Sequence, residues 1–436
     1  MLTDSERQLI LNCSRQEMPP DLTLQTSHIL RDPLRWERVL ESAWQHGVAS
    51  LLYRNLKPFA EESLVPSEIQ RKLLQLYHRT AYQNLHLLNA LEAVLERFSQ
   101  AGLKVMILKG AALARLIYRH LALRPFVDLD LLIQKQDFPK AREVLLQSGY
   151  RVLPGLLSER LCWQYHFNLP FAKRDKVTAH VELHWSITDQ FKGYTIDIDG
   201  LWARACAAGS SYREALVLSP EDLITHLSLH LDMHGYVNQA VTGQGNELRF
   251  IFDPISENRL IWFTDLYEFI GHHRRSIDWP SVVERSKKAG TDGSIASTLT
   301  LLNILFGPVV DPHVLNQFDP PRSTAVKRAL LKWLMNGLAD PDAAGSSGRS
   351  YFQRKLLPKR REVQFRLIRL MDLWEYTFPP FELFQKRGYV DRRSLLVLLY
   401  LAHVLETFCR FIGVSAQLLF CVLKRSVGNF LVRSPQ

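Results

Sequence analysis

The stretch from residue 104 to residue 153 constrains the fold more than any other. It reads KVMILKG, AALARLIYRHL, VDLDLLI, QDFPKAREVLLQSG and YRVL in succession, with short linking pieces. The first, third and fifth are short aliphatic runs of strand type, and the two between them carry helical spacing. Strand, helix, strand, helix, strand within about fifty residues commits this part of the chain to a small sheet with helices packed on it. Inside it, LRPFVDLDLLI sets Asp128 and Asp130 into an otherwise apolar run. Side chains two apart on a strand share a face, so the two carboxylates emerge side by side. Their repulsion is relieved when a cation sits between them.

The flanks read as helices. DPLRWERVLESAWQHGVASLLYRNLK carries Leu34, Trp36, Val39, Leu40, Ala43 and Trp44 close to helical period. SEIQRKLLQLYHRTAYQNLHLLNALEAVLERFSQAG is a long amphipathic helix with Gly102 at its C-terminal end. Beyond the series, KRDK reads as a hairpin tip ahead of a further strand, AHVELHWSI at 179–187. Helical patterns resume at Pro220 with PEDLITHLSLHLDMHG, LIWFTDLYEFIGHH, WPSVVERSKKAG and SIASTLTLLNILFG, interrupted by an insertion at VTGQGNELRFIFDPISENR. The expected fold is α+β: N-terminal helices at 1–100 and a small mixed-sheet core at 101–218, then a larger C-terminal helical region. That region divides into a helical domain at 219–335, a Gly/Ser/Asp-rich linker at 336–350 and a basic helical region at 351–436.

Composition narrows the partners. A hydrophobic content of 47% with 22% charged residues is that of a globular protein. The five cysteines (Cys13, Cys162, Cys206, Cys409 and Cys421) are scattered with no CxxC, which fits a reducing compartment and argues against a structural zinc site. The N-terminal segment lacks the apolar run of a signal peptide, so the expected location is cytoplasmic. A net charge of +10 favours anionic partners. Spread over 436 residues, without a zinc knuckle or a basic–aromatic stripe, it argues against nucleic acid as the partner.

Three elements bear on the paired acids. LKGAAL ends a strand and opens a helix at Gly110, where backbone amides can meet a phosphate and Lys109 adds positive charge. Arg124 precedes the Asp128–Asp130 pair, and Glu182 is a lone acid on the strand of HVELHW. Each has an ordinary reading alone: a steric turn glycine, surface charges, an edge-strand acid. Together they match nucleotidyl transfer, in which two hard cations held by carboxylates activate a hydroxyl and stabilise leaving pyrophosphate. The expected ions are Mg²⁺ or Mn²⁺ on Asp128, Asp130 and Glu182, with an NTP bound by Lys109, Gly110 and Arg124.

The run LKGAALARLIYRHLALRPFVDLDLLIQKQDFPKAREVLLQSGYRV resembles the nucleotidyltransferase fold of the DNA polymerase beta superfamily, in particular the bacterial group described as uncharacterised nucleotidyltransferases. VELHW is similar to that group's third-acid strand, RWERVLESAWQHGVASLLYRNL to its N-terminal helix, LHLDMHG and FTDLYEFI to its later helical segment, and FPPFELFQKRGY to its C-terminal turn. The resemblance implies a metal-dependent transfer of an NMP group from an NTP, such as ATP, to a hydroxyl of a small molecule or protein. A catalytically inactive nucleotide-binding or regulatory protein, or a tRNA-modifying enzyme, are the alternatives on the same fold. One departure stands out: the wider superfamily carries Gly-Ser or Gly-Gly at the phosphate turn, where this chain has Lys109-Gly110-Ala111 and no hydroxyl. A toxin-like branch also uses a KG turn.

His226, His230 and His234 recur at four-residue spacing and stack on one helix face. With no acid or cysteine placed to complete a zinc site, they read as structural or substrate-contacting, and His234, beside Gly235, is the nucleotide-binding candidate. Asp265 matches the resembling group, either facing the nucleotide or lying on a helix surface. SLLVLLYLAHVLETFCRFIG is interrupted by His403, Glu406 and Arg410, which makes a membrane span costly. Lys386, Arg387, Arg392, Arg393, Lys424 and Arg425 near it would suit a peripheral membrane surface or a protein partner.

Overall fold

The computed structural model describes residues 2–153, 159, 162–163, 166–175, 177–188, 194–209, 212, 214–234 and 259–318. Residues 159 and 162–163 apart, these belong to one compact unit. The expected insertion, linker and C-terminal helices, with Cys409 and Cys421, lie outside the described residues.

Five helices lead: α1 (Asp4–Asn12), α2 (Pro20–Leu30), α3 (Trp36–Gln45), α4 (Ala49–Glu61) and α5 (Ser67–Gln100). The periodic run through Trp36 is broken into α3 and α4 at Gly47, whose φ of +73° is left-handed and where a Cβ would come within 3.0 Å of Ile261. α1 opens with a capping box in which the Thr3 hydroxyl accepts from the Glu6 amide while Glu6 accepts from the Thr3 amide.

The sheet series follows as β1 (Met106–Ile107), α6 (Lys109–Leu116), β2 (Asp128–Leu132), α7 (Phe138–Gln147) and β3 (Arg151–Val152). An antiparallel pair of β4 (Asn168–Lys173) and β5 (Ala179–His184) comes next, its last register pair Lys173 with Ala179. Then come α8 (Ile198–Ala203), the two-residue strands β6 (Cys206–Ala207) and β7 (Leu216–Val217), and the helices α9 (Pro220–His234), α10 (Leu260–His272), α11 (Trp279–Ala289), α12 (Asp292–Phe306) and α13 (Pro312–Leu315). Among the described residues the strands form one mixed sheet in the order β3-β4-β5-β2-β1-β7-β6. The fold is α+β.

Register fixes what the sheet presents. β2 pairs in parallel with β5, with Asp128 opposite His180, Asp130 opposite Glu182 and Leu132 opposite His184. Leu129 and Leu131 point the other way and are fully buried. A slip of one residue would drive the acids into that apolar layer, so burial of the leucines, at roughly 2 kcal/mol each, holds the acids in place. Leu9, Leu51 and Leu52 from the leading helices share one buried cluster with Phe263, Leu266, Leu299 and Leu302 from α10 and α12. No helix among the described residues is long and apolar enough to cross a membrane.

Candidate active site

The turn from β1 into α6 brings the first groups together. The Leu108 amide donates to the Asp130 carbonyl at 2.9 Å, tying this turn to β2 at the residue whose side chain enters the site. Lys109 then takes a left-handed φ of +38°, a conformation that costs a side-chain-bearing residue on the order of 1 kcal/mol. In return its Nζ lies 2.9 Å from Asp130 Oδ1. Gly110 has no room for a side chain, since a Cβ would come within 2.6 Å of Arg124 Nη1 and 3.0 Å of Phe126 Cβ.

Arg124 is held from beneath. Its Nε lies 3.2 Å from both carboxylate oxygens of Asp265, its Nη2 donates to Asp265 Oδ2 at 2.6 Å, and the Tyr118 hydroxyl donates to Asp265 Oδ1 at 2.8 Å. Asp265 is therefore buried, 1% exposed, rather than on a helix surface: an arginine fork this far from water needs a carboxylate beside it. Arg124 Nη1 donates to the Pro125 carbonyl beside Gly110. From α5, Asn84 donates to the Leu121 and Arg124 carbonyls and accepts from the Phe126 amide, clamping the loop that feeds β2.

On the sheet face, His184 Nε2 lies 3.1 Å from Asp130 Oδ1 and 3.3 Å from Glu182 Oε2. Asn168 of β4 donates to the same Glu182 oxygen at 2.7 Å. Asp130 and His184 are buried, while Asp128 and Glu182 reach partly into solvent. The two aspartates are driven apart electrostatically. Burial raises the pKa of Asp128, and Asp130 and Glu182 push it further, with Lys109 and Arg124 offsetting only part. Burial would raise Asp130 as well, but Lys109 and His184 hold its carboxyl well below the usual carboxylate range. Burial works against the charged forms of Lys109 and His184, yet the surrounding carboxylates raise both.

This donor set fits a divalent cation. Ligand atoms of Asp130, Glu182 and His184 all lie within 4.8 Å of one another, and Asp128 shares their face of the sheet. The acids open on a cleft of about 990 Å³, also lined by Trp44 of α3 and Trp262 of α10. Arg79 lies over the Trp44 ring and Arg259 over the Trp262 ring.

Residues 32–307 match the family described as "Uncharacterised nucleotidyltransferase". The chain belongs to that family. No curated protein matches it. In this member of the family Lys109, Gly110, Arg124, Asp128, Asp130 and Glu182 all line this cleft. His230 lines it too, edge-on to Trp262 at 4.7 Å. His226 is buried away from solvent, and burial, with the charges of Lys109 and His184, lowers its pKa to about 3. His234 is the last residue of α9, and its side chain lies outside the description. Sequence reasoning missed His184, Asn168, Asn84 and Tyr118. For His184 a signal existed, because it stands two residues after Glu182 on one strand and must share its face.

Proposed function

We propose that this nucleotidyltransferase moves an NMP group from an NTP to a hydroxyl of a small-molecule or protein acceptor and releases pyrophosphate. The observation that carries the reading is the parallel register of β2 and β5, which sets Asp130 beside Glu182 with Asp128 on the same face and the Lys109–Gly110 turn directly adjacent. Two divalent cations, Mg²⁺ or Mn²⁺, would when bound activate the acceptor hydroxyl and neutralise the leaving pyrophosphate. Asp128 and Asp130 would hold them, Glu182 would complete the ion site at the acceptor side, and the carboxylate of Glu182 receives the hydroxyl proton. A bond forms from the acceptor oxygen to the α-phosphorus as the bond from that phosphorus to the α–β bridging oxygen breaks, and pyrophosphate departs with the electron pair.

Lys109 and the first amides of α6 bind the triphosphate. Arg124, pinned by Asp265, keeps the glycine turn open and adds positive charge beneath it. The cleft volume is at the upper end of the range for small-molecule sites, consistent with a nucleotide and an acceptor together.

One observation favours a second reading, an inactive nucleotide-binding or regulatory protein. Lys109 and His184 already neutralise Asp130 without any ion. Incubating the full chain with α-labelled NTPs, divalent metal and a cell extract separates the two. Transfer of label to an acceptor with matching pyrophosphate release supports the enzyme. Tight metal–NTP binding by titration calorimetry without either product supports the regulatory protein.

A further inference from the structure

We propose that His184 is itself a metal ligand, so that Asp130, Glu182 and His184 form a mixed oxygen–nitrogen centre selecting a first-row transition-metal dication such as Mn²⁺ over Mg²⁺. The inference rests on the metal-dependent reading above and names the ion class and one ligand of that site.

Geometry carries it. Two ligands about 2.1 Å from one ion at right angles are about 3.0 Å apart. His184 Nε2 stands 3.1 Å from Asp130 Oδ1 and 3.3 Å from Glu182 Oε2, the edges that a shared ion requires. The imidazole is fixed there from three strands: its own β5, β2 through the pairing of Leu132 with His184, and β4 through the pairing of Asn168 with His184. The Phe167 ring packs on it at 5.5 Å. Asn168 orients the Glu182 oxygen that faces the imidazole, the kind of outer hydrogen bond that sets up a metal ligand. Among the described residues His184 Nδ1 has no hydrogen-bond partner, so the ring makes its polar contacts through Nε2, the nitrogen turned toward both carboxylates.

Chemistry gives the selectivity. Mg²⁺ favours all-oxygen sites, whereas an imidazole nitrogen strengthens binding of Mn²⁺ and its later neighbours. A centre built only from Asp128, Asp130 and Glu182 would show a smaller bias and no bound nitrogen.

The test is pulsed electron paramagnetic resonance of Mn²⁺ bound to the full-length protein, prepared with natural-abundance and with ¹⁵N-labelled histidine. The expected result is a directly bound nitrogen whose coupling changes isotope pattern with histidine labelling. It should disappear in His184→Gln and persist in His180→Ala, a substitution on the same strand. Titration calorimetry should then show Mn²⁺ affinity in His184→Gln reduced about tenfold or more, with Mg²⁺ affinity less affected. If His184→Gln does not fold, the labelled wild-type spectrum decides alone. Mn²⁺ bound with no histidine nitrogen, or with a nitrogen that survives in folded His184→Gln, overturns the proposal and leaves the metal-dependent reading standing. Failure to bind either ion, with or without NTP, overturns both.

Discussion

Lys109 Nζ and Asp130 Oδ1 form an ion pair of 2.9 Å in which the carboxylate is 2% exposed. Only one other cationic partner, His184, is in contact with that carboxylate among the described residues. Lys109→Met should therefore destabilise the metal-free protein by about 3 kcal/mol, the bottom of the range for breaking a buried pair, because His184 remains. Millimolar Mn²⁺ should narrow the gap by replacing the lost charge. Urea denaturation with and without the metal checks this, and a gap that ignores metal would mean that Asp130 does not bind it. With NTP, the same variant should raise KM more than it lowers kcat, since the charge meets the triphosphate in ground and transition states alike.

The two aspartates should respond to amidation with opposite consequences for folding. Asp128→Asn removes a carboxylate that burial and two acidic neighbours already disfavour, so stability should stay within about 1 kcal/mol of wild type or rise. Asp130→Asn leaves Lys109 a buried cation without its carboxylate and takes from His184 its nearest acidic partner, and should cost on the order of 3 kcal/mol. Both should lose transfer activity by roughly a hundredfold or more. Equal denaturation midpoints for the two variants would contradict the assigned charges.

What was legible in the sequence was whatever local periodicity encodes. Asp128 and Asp130 announce a shared face through spacing alone, and the helix over Ser67–Gln100 follows from its apolar stripe. The side-by-side placement of Asp130 and Glu182 depends on a parallel pairing between strands fifty residues apart, which no local pattern specifies. The pairing of Arg124 with Asp265 spans 141 positions, a contact that only the fold brings about. Asn84 looks like any polar position on an amphipathic helix, yet it is fully buried and clamps the loop before β2. β4 carries Pro170, which weakens a strand assignment, and β6 and β7 are too short to show alternation. His184 was hidden by attention to its neighbour, since HVELHW draws the eye to the acid.

Gly110→Ala should fail for a steric reason set by a distant pair. The new methyl would sit 2.6 Å from Arg124 Nη1, and the guanidinium cannot swing aside without leaving Asp265. A cost of about 2 kcal/mol is expected for such overpacking, with a raised KM for NTP as the turn shifts. Thermal denaturation and steady-state kinetics measure the two effects. A fully stable Gly110→Ala protein would mean that the Arg124–Asp265 pair is loose.

Acid should loosen the N-terminal helices before the sheet. Burial would raise the pKa of Glu6, but hydrogen bonds from Arg35 and the Thr3 amide outweigh it and bring the value from 4.5 to about 2. A depressed carboxylate stabilises the fold above its unfolded value and loses that contribution as pH falls toward the folded one, here between 4.5 and about 2. Allowing for the half-exposed Arg35, the contribution at neutral pH is about 2 kcal/mol. The stability difference between wild type and Glu6→Gln should shrink by roughly half or more from pH 6 to pH 3 in denaturant titrations. A difference that stays constant across that window would remove Glu6 as its source.

Glu182→Gln separates catalysis from binding. Glu182 is the most accessible of the three groups clustered with Asp130, its side chain 31% exposed against 2% for Asp130 and 1% for His184. Removing its charge therefore leaves the buried Lys109–Asp130–His184 contacts in place, and a glutamine oxygen can still accept from Asn168. Stability should change by less than about 1 kcal/mol. Metal–NTP binding should also persist, because Asp128, Asp130 and the Lys109–Gly110 turn remain. The acceptor hydroxyl, however, loses both the charge that helps hold its activating ion and the group that takes its proton. The chemical step should fall by on the order of 10²–10⁴-fold. Single-turnover measurement of label transfer, alongside calorimetric titration with nucleotide, reads both quantities in one preparation. A Glu182→Gln protein that transfers at the wild-type rate would take this carboxylate out of the reaction and leave the ions to Asp128, Asp130 and His184.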